Sequence, residues 1–245
     1  AIGAVIGLIL LVAIGLAGYR WGIPWAASGV LAVLPTSVDE QVGAAALESI
    51  DGSLLAPSAL PARWRDDLSR RFARMLEASG EPVTQPVLLF RSSRIGPNAF
   101  ALPGGVIILT DDLVALADRD PDMILGVLAH EYGHVHARHG MRLLLQSVFL
   151  GAIVGLATGD VSGLITGAPL LLSQLAYSRD HEREADDTSI ALLLASNRSP
   201  AVMAEMLSRL AKASDGQDAG GIGVLLSSHP ASGERIDRFR KASAR

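Results

Sequence analysis

His130-Glu131-Tyr132-Gly133-His134 is the stretch on which the reading of this chain turns. It sits in a segment that opens on Asp120-Pro121, an N-cap followed by proline at the first helical position. The sequence predicts a helix from there to His139, stopped at Gly140. Residues four apart on a helix share one face, about 6 Å apart along the axis. Two imidazoles so placed converge on one cation at roughly 2.0–2.1 Å each, which makes His130 and His134 candidate metal ligands. Glu131, three residues before His134, flanks the same face. There it can take a proton from an attacking water without occupying the metal. Leu125, Leu128, Tyr132 and Val135 are the positions expected to bury the helix. A surface helix rich in His and Glu is the plain alternative, and the cap and apolar stripe argue against it.

Two histidines leave a catalytic zinc short of its third protein ligand. Candidates lie downstream in Tyr177-Ser178-Arg179-Asp180-His181-Glu182-Arg183-Glu184-Ala185-Asp186. Glu182 and Asp186 are four apart and share a helix face, whereas Glu184 projects about 200° around the wheel from Glu182. The pair suits a carboxylate ligand with a second carboxylate one turn on, which accepts a hydrogen bond from a ligand imidazole and fixes its tautomer. A solvated, charged helix start is the rival explanation of this segment. Ser228-His229-Pro230 forms a third cluster. His229 either donates to the oxyanion of a tetrahedral intermediate or reaches the metal and blocks it at rest; a structural, cap-like histidine is the alternative. Arg235 is suited to anchor that loop or to help with the oxyanion. His136, His139 and His181 fit satisfied polar side chains better than ligands.

Composition bounds what else the chain can do. It has 245 residues and no cysteine, which excludes a thiol nucleophile, a thiolate metal site and a disulfide framework. With a net charge of −4 and a pI near 5.9 it presents no basic field for nucleic acid. Apolar residues make up 49% and mean hydropathy is +0.35, so part of the chain is expected to meet lipid or lie deeply buried. Ala1 to Tyr19 carries no charge, and about eighteen helical residues span roughly 27 Å, close to a bilayer's hydrocarbon thickness. Arg20, Trp21 and Trp25 follow as an interfacial belt. A single transmembrane anchor over 1–19 is therefore expected, with a secretory signal as its rival. No Lys or Arg occurs between Trp21 and Ala62, where Asp39, Glu40, Glu48 and Asp51 are acidic. That asymmetry places the following domain on the extracytoplasmic, periplasmic side.

Residues 20–60, rich in Pro, Gly, Ser and Ala, read as a linker with short helical pieces, and 61–245 as the catalytic domain. Leu60, Trp64, Leu68 and Phe72 recur at helical spacing. Val87–Phe90, Asn98–Leu102 and Val106–Thr110 read as strands, the last two joined by Pro103-Gly104-Gly105. Further helices are expected over 141–158, 162–176, 177–195, 200–214 and 231–242. The nearly uncharged stretch from Leu143 to Ala176 has glycines at 151, 155, 159, 163 and 167, an interval that lets helices approach closely, and a helical hairpin near the site is expected there.

Taken in order, His-Glu-x-x-His, then Ser-Arg-x-x-Glu-x-x-Ala-Asp, then Ser-His-Pro followed by Glu-Arg-Ile resembles the gluzincin peptidase family that includes HtpX and the CAAX prenyl protease, over about 85–242. The resemblance implies one zinc ion per chain with Glu182 as third ligand and Asp186 as its orienting partner. It also implies that Asn98-Ala99-Phe100-Ala101 is an edge strand along which an extended peptide adds by main-chain hydrogen bonds. With one clear N-terminal span, the sequence looks more like the single-span or periplasmic quality-control members than the multi-span ones. The expected fold is α+β and mainly helical, a zincin-like domain with a small antiparallel sheet. The expected function is zinc-dependent endopeptidase action on polypeptide substrates at a membrane, with Glu131 as general base and His229 or Arg235 at the oxyanion. A zinc-bound, chaperone-like module that rarely cuts is the alternative, and a lipid-bound scaffold a second.

Overall fold

The computed structural model describes residues 2–80, 85–158, 177–215 and 229–244. Between Ile2 and Val33 the chain is one helical run: α1 (Ile2–Ala17), a π turn over Gly18–Gly22, and α2 (Ile23–Val33). At 1.5 Å per residue this run is about 48 Å long, more than a bilayer's hydrocarbon core. Its apolar side chains point outward, Leu11 being 69% and Ile14 68% exposed. So large an apolar surface needs lipid or an apolar partner. Two segments among the described residues are long and apolar enough to cross a bilayer, Val5–Val33 and His139–Leu156.

The stretch expected as a linker carries more regular structure than its composition suggested: α2, then α3 (Thr36–Ile50). Helix α3 lies directly on the Pro103–Gly105 turn. A Cβ built on Gly43 would sit 1.9 Å from the Pro103 carbonyl oxygen, and one on Gly104 (φ 79°) would sit 2.5 Å from the Glu40 Cα. Glycine and alanine, taken in the sequence as loop signals, here permit backbone-to-backbone packing.

Four strands follow: β1 (Leu55–Pro57), β2 (Val87–Ser93), β3 (Ala99–Leu102) and β4 (Val106–Thr110), in spatial order β1-β2-β4-β3. The β3–β4 hairpin is antiparallel as expected, with Ala99 opposite Leu109, and β1 is antiparallel to β2. The whole sheet is mixed rather than antiparallel, because β2 runs parallel to β4 with Val87 opposite Val106. The chain leaves β2, passes to the outer edge as β3, and the hairpin returns it alongside β2 in β2's own direction. That leaves β3 as an edge strand.

Helix α4 (Ala62–Glu77) buries Leu68, Phe72, Met75 and Leu76, and α5 (Asp111–Leu116) is capped by the Thr110 hydroxyl. Helix α6 (Pro121–His136) is capped by Asp120, whose Oδ1 accepts from the Asp122 and Met123 amides. Every residue from Met123 to His134 is buried, so α6 is the central element of the core and not an amphipathic surface helix. It ends three residues earlier than the sequence suggested. Arg138 adopts a left-handed conformation (φ 52°) and a new helix, α7 (His139–Thr158), starts at His139. The break therefore falls on an arginine, not on Gly140. Its guanidinium explains why it is held there: it makes a bidentate pair with buried Asp39, at 2.7 Å twice, and donates to the carbonyls of Leu31 and Leu34.

Helices α8 (Arg179–Ala195), α9 (Ala201–Asp215) and α10 (Gly233–Ser243) complete the described fold. Helix α8 crosses α6 at close range: a Cβ on Gly133 would lie 2.8 Å from the Ala185 Cα, and the Ser189 hydroxyl donates to the Gly126 carbonyl. The helix expected over 162–176, and with it most of the expected hairpin, lies outside the described residues.

Gly43→Ala is expected to lower stability by about 1–3 kcal/mol, since a methyl group there must displace backbone. Thermal unfolding of the two proteins checks this; an unchanged midpoint would mean that α3 does not dock on the turn.

Candidate metal centre

The caps of α6 and α8 set the rotational phase of the two helices that carry the site. Ser178 accepts from the His181 amide, starting α8 so that His181, Glu182, Ala185 and Asp186 face inward while Glu184 and Asp187 stay at the surface. On α6 the four-residue spacing brings the Nε2 atoms of His130 and His134 to 3.1 Å. The Glu182 carboxylate completes the group, with Oε2 3.5 Å from His130 Nε2 and Oε1 3.3 Å from His134 Nε2. His229 enters from the segment before α10, its Nδ1 2.9 Å from Glu182 Oε1 and 3.3 Å from His130 Nε2. All four residues are buried and offer ligand atoms within 4.8 Å of one another.

These spacings can be tested against a metal. A tetrahedron with bonds of about 2.0–2.1 Å has edges of about 3.3–3.4 Å. The five donor–donor distances above run from 2.9 to 3.5 Å. Donor chemistry agrees: two imidazole Nε2 atoms, one imidazole Nδ1 and one carboxylate point at one spot. The residues fit a tetrahedral N/O-ligated ion.

Glu131 lies beside this group, 1% exposed, with its Oε1 3.8 Å from His229 Nε2 and its Oε2 buried without a hydrogen-bond partner. Burial raises its pKa, against the charges of His229 and His130 and a hydrogen bond from the Ala101 backbone N–H. A carboxylate held dry, beside the donor group but outside it, is arranged to accept and return a proton. Asp186 sits on the far side of His130, its Oδ1 3.0 Å from His130 Nδ1. Arg235 stands behind both carboxylates: its Nη1 is 2.6 Å from Glu182 Oε2, its Nη2 2.7 Å from Asp186 Oδ1, and its Nε donates to Asp186 Oδ2. Its Nη1 also donates to the Pro230 carbonyl, tying down the segment that carries His229.

Electrostatics point the same way. Burial disfavours charge on His130, but the Glu182 charge and the hydrogen bonds that the ring donates to the Asp186 and Glu182 carboxylates outweigh this and push its pKa up to about 9. Burial also works against the Glu182 carboxylate, yet the charges of His229 and His130 and hydrogen bonds from the imidazoles hold its pKa far below the usual range. His134 goes the other way, lowered well below its usual value mainly by burial. The Glu182 carboxylate is held anionic and His134 neutral, and His130 carries positive charge beside them.

Asn98, Ala99, Phe100 and Ala101 lie at and just before the edge strand β3. The Asn98 amide donates to Thr110 Oγ1 and its carbonyl accepts from the Thr110 amide, so Asn98, Phe100 and Leu102 turn their main-chain groups toward β4. Ala99 and Ala101 turn theirs outward, and Ala101 meets Glu131 there. Of the histidines expected as ordinary polar residues, His136 stands 6.0 Å ring to ring from Tyr132, while His139 and His181 stack on each other at 4.2 Å. His139 is fully buried, with Nδ1 2.9 Å from His134 Nδ1 and Nε2 3.1 Å from Glu184 Oε2. Tyr177, to which the sequence reading gave no role, stacks on the His134 ring at 3.9 Å. Its position one residue before the Ser178 cap was the available signal.

Comparison with known proteins bears on this geometry. The profile of Peptidase family M48 matches residues 61–243. The chain is 32% identical over 173 residues to the metalloprotease LoiP of Escherichia coli, covering 66% of this chain and 63% of that protein. It is 31% identical over 150 residues to the mitochondrial metalloendopeptidase OMA1 of Saccharomyces cerevisiae, covering 59% of this chain and 43% of that one. A protease HtpX homolog of Syntrophobacter fumaroxidans is 30% identical over 217 residues, with 69% and 74% covered. The chain thus spans less than two thirds of the length of LoiP and of yeast OMA1.

Removing the guanidinium would leave two buried carboxylates facing each other. Arg235→Ala is expected to destabilise the metal-free protein by about 3–5 kcal/mol, and Arg235→Lys to recover only part of this because an ammonium lacks the fork that spans both carboxylates. Chemical denaturation in the presence of a chelator measures the loss. A cost below about 1 kcal/mol would remove Arg235 from the charge balance of the site.

Proposed function

The chain belongs to Peptidase family M48, and from that premise we propose that it is a membrane-anchored zinc endopeptidase whose ion is held by His130, His134 and Glu182. The observation that carries the reading is the buried four-donor group from α6, α8 and the segment before α10, with Glu131 standing next to it and outside it. Zinc bound there would supply a Lewis acid to polarise a peptide carbonyl and lower the pKa of the attacking water. The protein's own residues do the rest. Glu131 takes the proton of that water and delivers it to the departing amine. Asp186 accepts from His130 Nδ1 and keeps its Nε2 free as ligand. A substrate polypeptide adds along the Asn98–Ala101 edge by main-chain hydrogen bonds, and Ala101, next to Glu131, brings the scissile bond to that carboxylate.

His229 has two roles to reconcile. With it the donor set numbers four, and a four-ligand ion has no position for water. We read this as the resting arrangement: His229 withdraws for substrate to enter and from the same segment faces the oxyanion side. Arg235, hydrogen-bonded to Asp186 and the Pro230 carbonyl and ion-paired with Glu182, holds the carboxylates and the His229 segment rather than meeting substrate. The closed donor set is also the one observation that favours the second reading, a zinc-bound, chaperone-like module with little activity.

The exposed apolar run from Val5 to Val33 supports attachment to a membrane, as a single span over 1–19. The acidic flank without Lys or Arg up to Ala62 supports an extracytoplasmic catalytic domain, with protein quality control as its task.

Cleavage of casein by the wild-type protein and by Glu131→Gln, with zinc measured in both, separates the two readings. The peptidase reading expects a loss of about 10²–10⁴-fold in Glu131→Gln with zinc retained. Equal inactivity of two zinc-loaded proteins would favour the binding module, and wild-type protein that binds no zinc would end both.

A further inference from the structure

His139 and Glu184 stand outside the donor group, and neither has a part in the chemistry above. They nevertheless form a continuous chain with it. His134 Nδ1 is 2.9 Å from His139 Nδ1, and His139 Nε2 is 3.1 Å from Glu184 Oε2. His139 is fully buried, stacked on His181, while the Glu184 side chain is 54% exposed.

The tautomers along this chain follow from one condition. His134 offers Nε2 to the donor group, 3.1 Å from His130 Nε2 and 3.3 Å from Glu182 Oε1. An imidazole that ligates through Nε2 carries its proton on Nδ1 and donates it. The acceptor there is His139 Nδ1, so this nitrogen must be bare. His139 then carries its proton on Nε2 and donates to the hydrogen-bond partner at that end among the described residues, the Glu184 carboxylate. Each link permits one arrangement, with the surface carboxylate at the far end fixing it. The other ligand imidazole is oriented differently, by direct donation from His130 Nδ1 to Asp186 Oδ1.

We propose that His139 and Glu184 are positioning residues for the metal, a two-step relay that locks His134 in its ligating tautomer. This rests on the reading of His134 as a metal ligand. The break at Arg138 is what makes the relay possible, since a helix continuing through His139 would carry that ring off the His134 face. The two ligand histidines are therefore held unequally. His130 leans on a buried anion, whereas His134 leans on a neutral ring whose orientation is set from the surface.

The test is the rate at which zinc passes from full-length protein to a chromogenic chelator, for wild type, His139→Phe, His139→Asn, Glu184→Ala and Glu184→Gln. Phenylalanine keeps the stacked ring and removes the acceptor, while asparagine puts a carbonyl oxygen near the place of Nδ1. Zinc loss is expected about 10- to 100-fold faster in His139→Phe and largely restored in His139→Asn. At the half-exposed end, Glu184→Ala should accelerate loss less and Glu184→Gln should restore it, a pair that stays informative if the buried substitutions fail to fold. Equal zinc loss from the Phe and Asn proteins, or an Ala protein at 184 that keeps zinc like wild type, would overturn the relay. Wild-type protein that takes up no zinc would instead overturn the metal reading on which it rests.

Discussion

The contact between Gly133 and Ala185 sets the geometry of everything else. Helices α6 and α8 each carry part of one donor group, and the imidazoles and the carboxylate can share an ion only if the two backbones nearly touch. A glycine facing an alanine permits this, and the buried length of α6 on either side fixes the crossing. The cost of bringing charged and polar groups into so dry a place is offset by making them neutralise one another. Arg235 answers Glu182 and Asp186, and the imidazoles answer Glu182. Removal of any one member leaves the others buried without compensation.

The helix-borne part of this arrangement was legible in the sequence. Asp120-Pro121 and Ser178 are side-chain caps that fix where α6 and α8 begin, and once the start is fixed a four-residue spacing determines which residues share a face. This is why His130 with His134, and Glu182 with Asp186, could be grouped without coordinates. Glu184 lies off that face, and its contact with His139 stayed hidden because it reaches the group from the other side of His134.

What stayed illegible has physical causes. The break between α6 and α7 occurs at Arg138, a residue with no intrinsic preference for positive φ, held there by Asp39 some hundred positions earlier. A local reading reached for Gly140 instead. The docking of α3 was hidden for a similar reason, because small residues that loosen an isolated chain also allow a helix to lie on the Pro103–Gly105 turn. The direction of β2 relative to β4 depends on the order in which strands enter the sheet, and no strand's own composition records it.

Arg138 also closes the C-terminal end of α2. The carbonyls of Leu31 and Leu34 belong to a helix terminus, and the same guanidinium sits just beyond the end of α6, four residues after His134. One side chain therefore serves the ends of both the apolar N-terminal rod and α6, a shared knuckle rather than a tether. Bending of the first against the second must strain the Asp39–Arg138 pair together with the packing of buried Ala27 and Leu31.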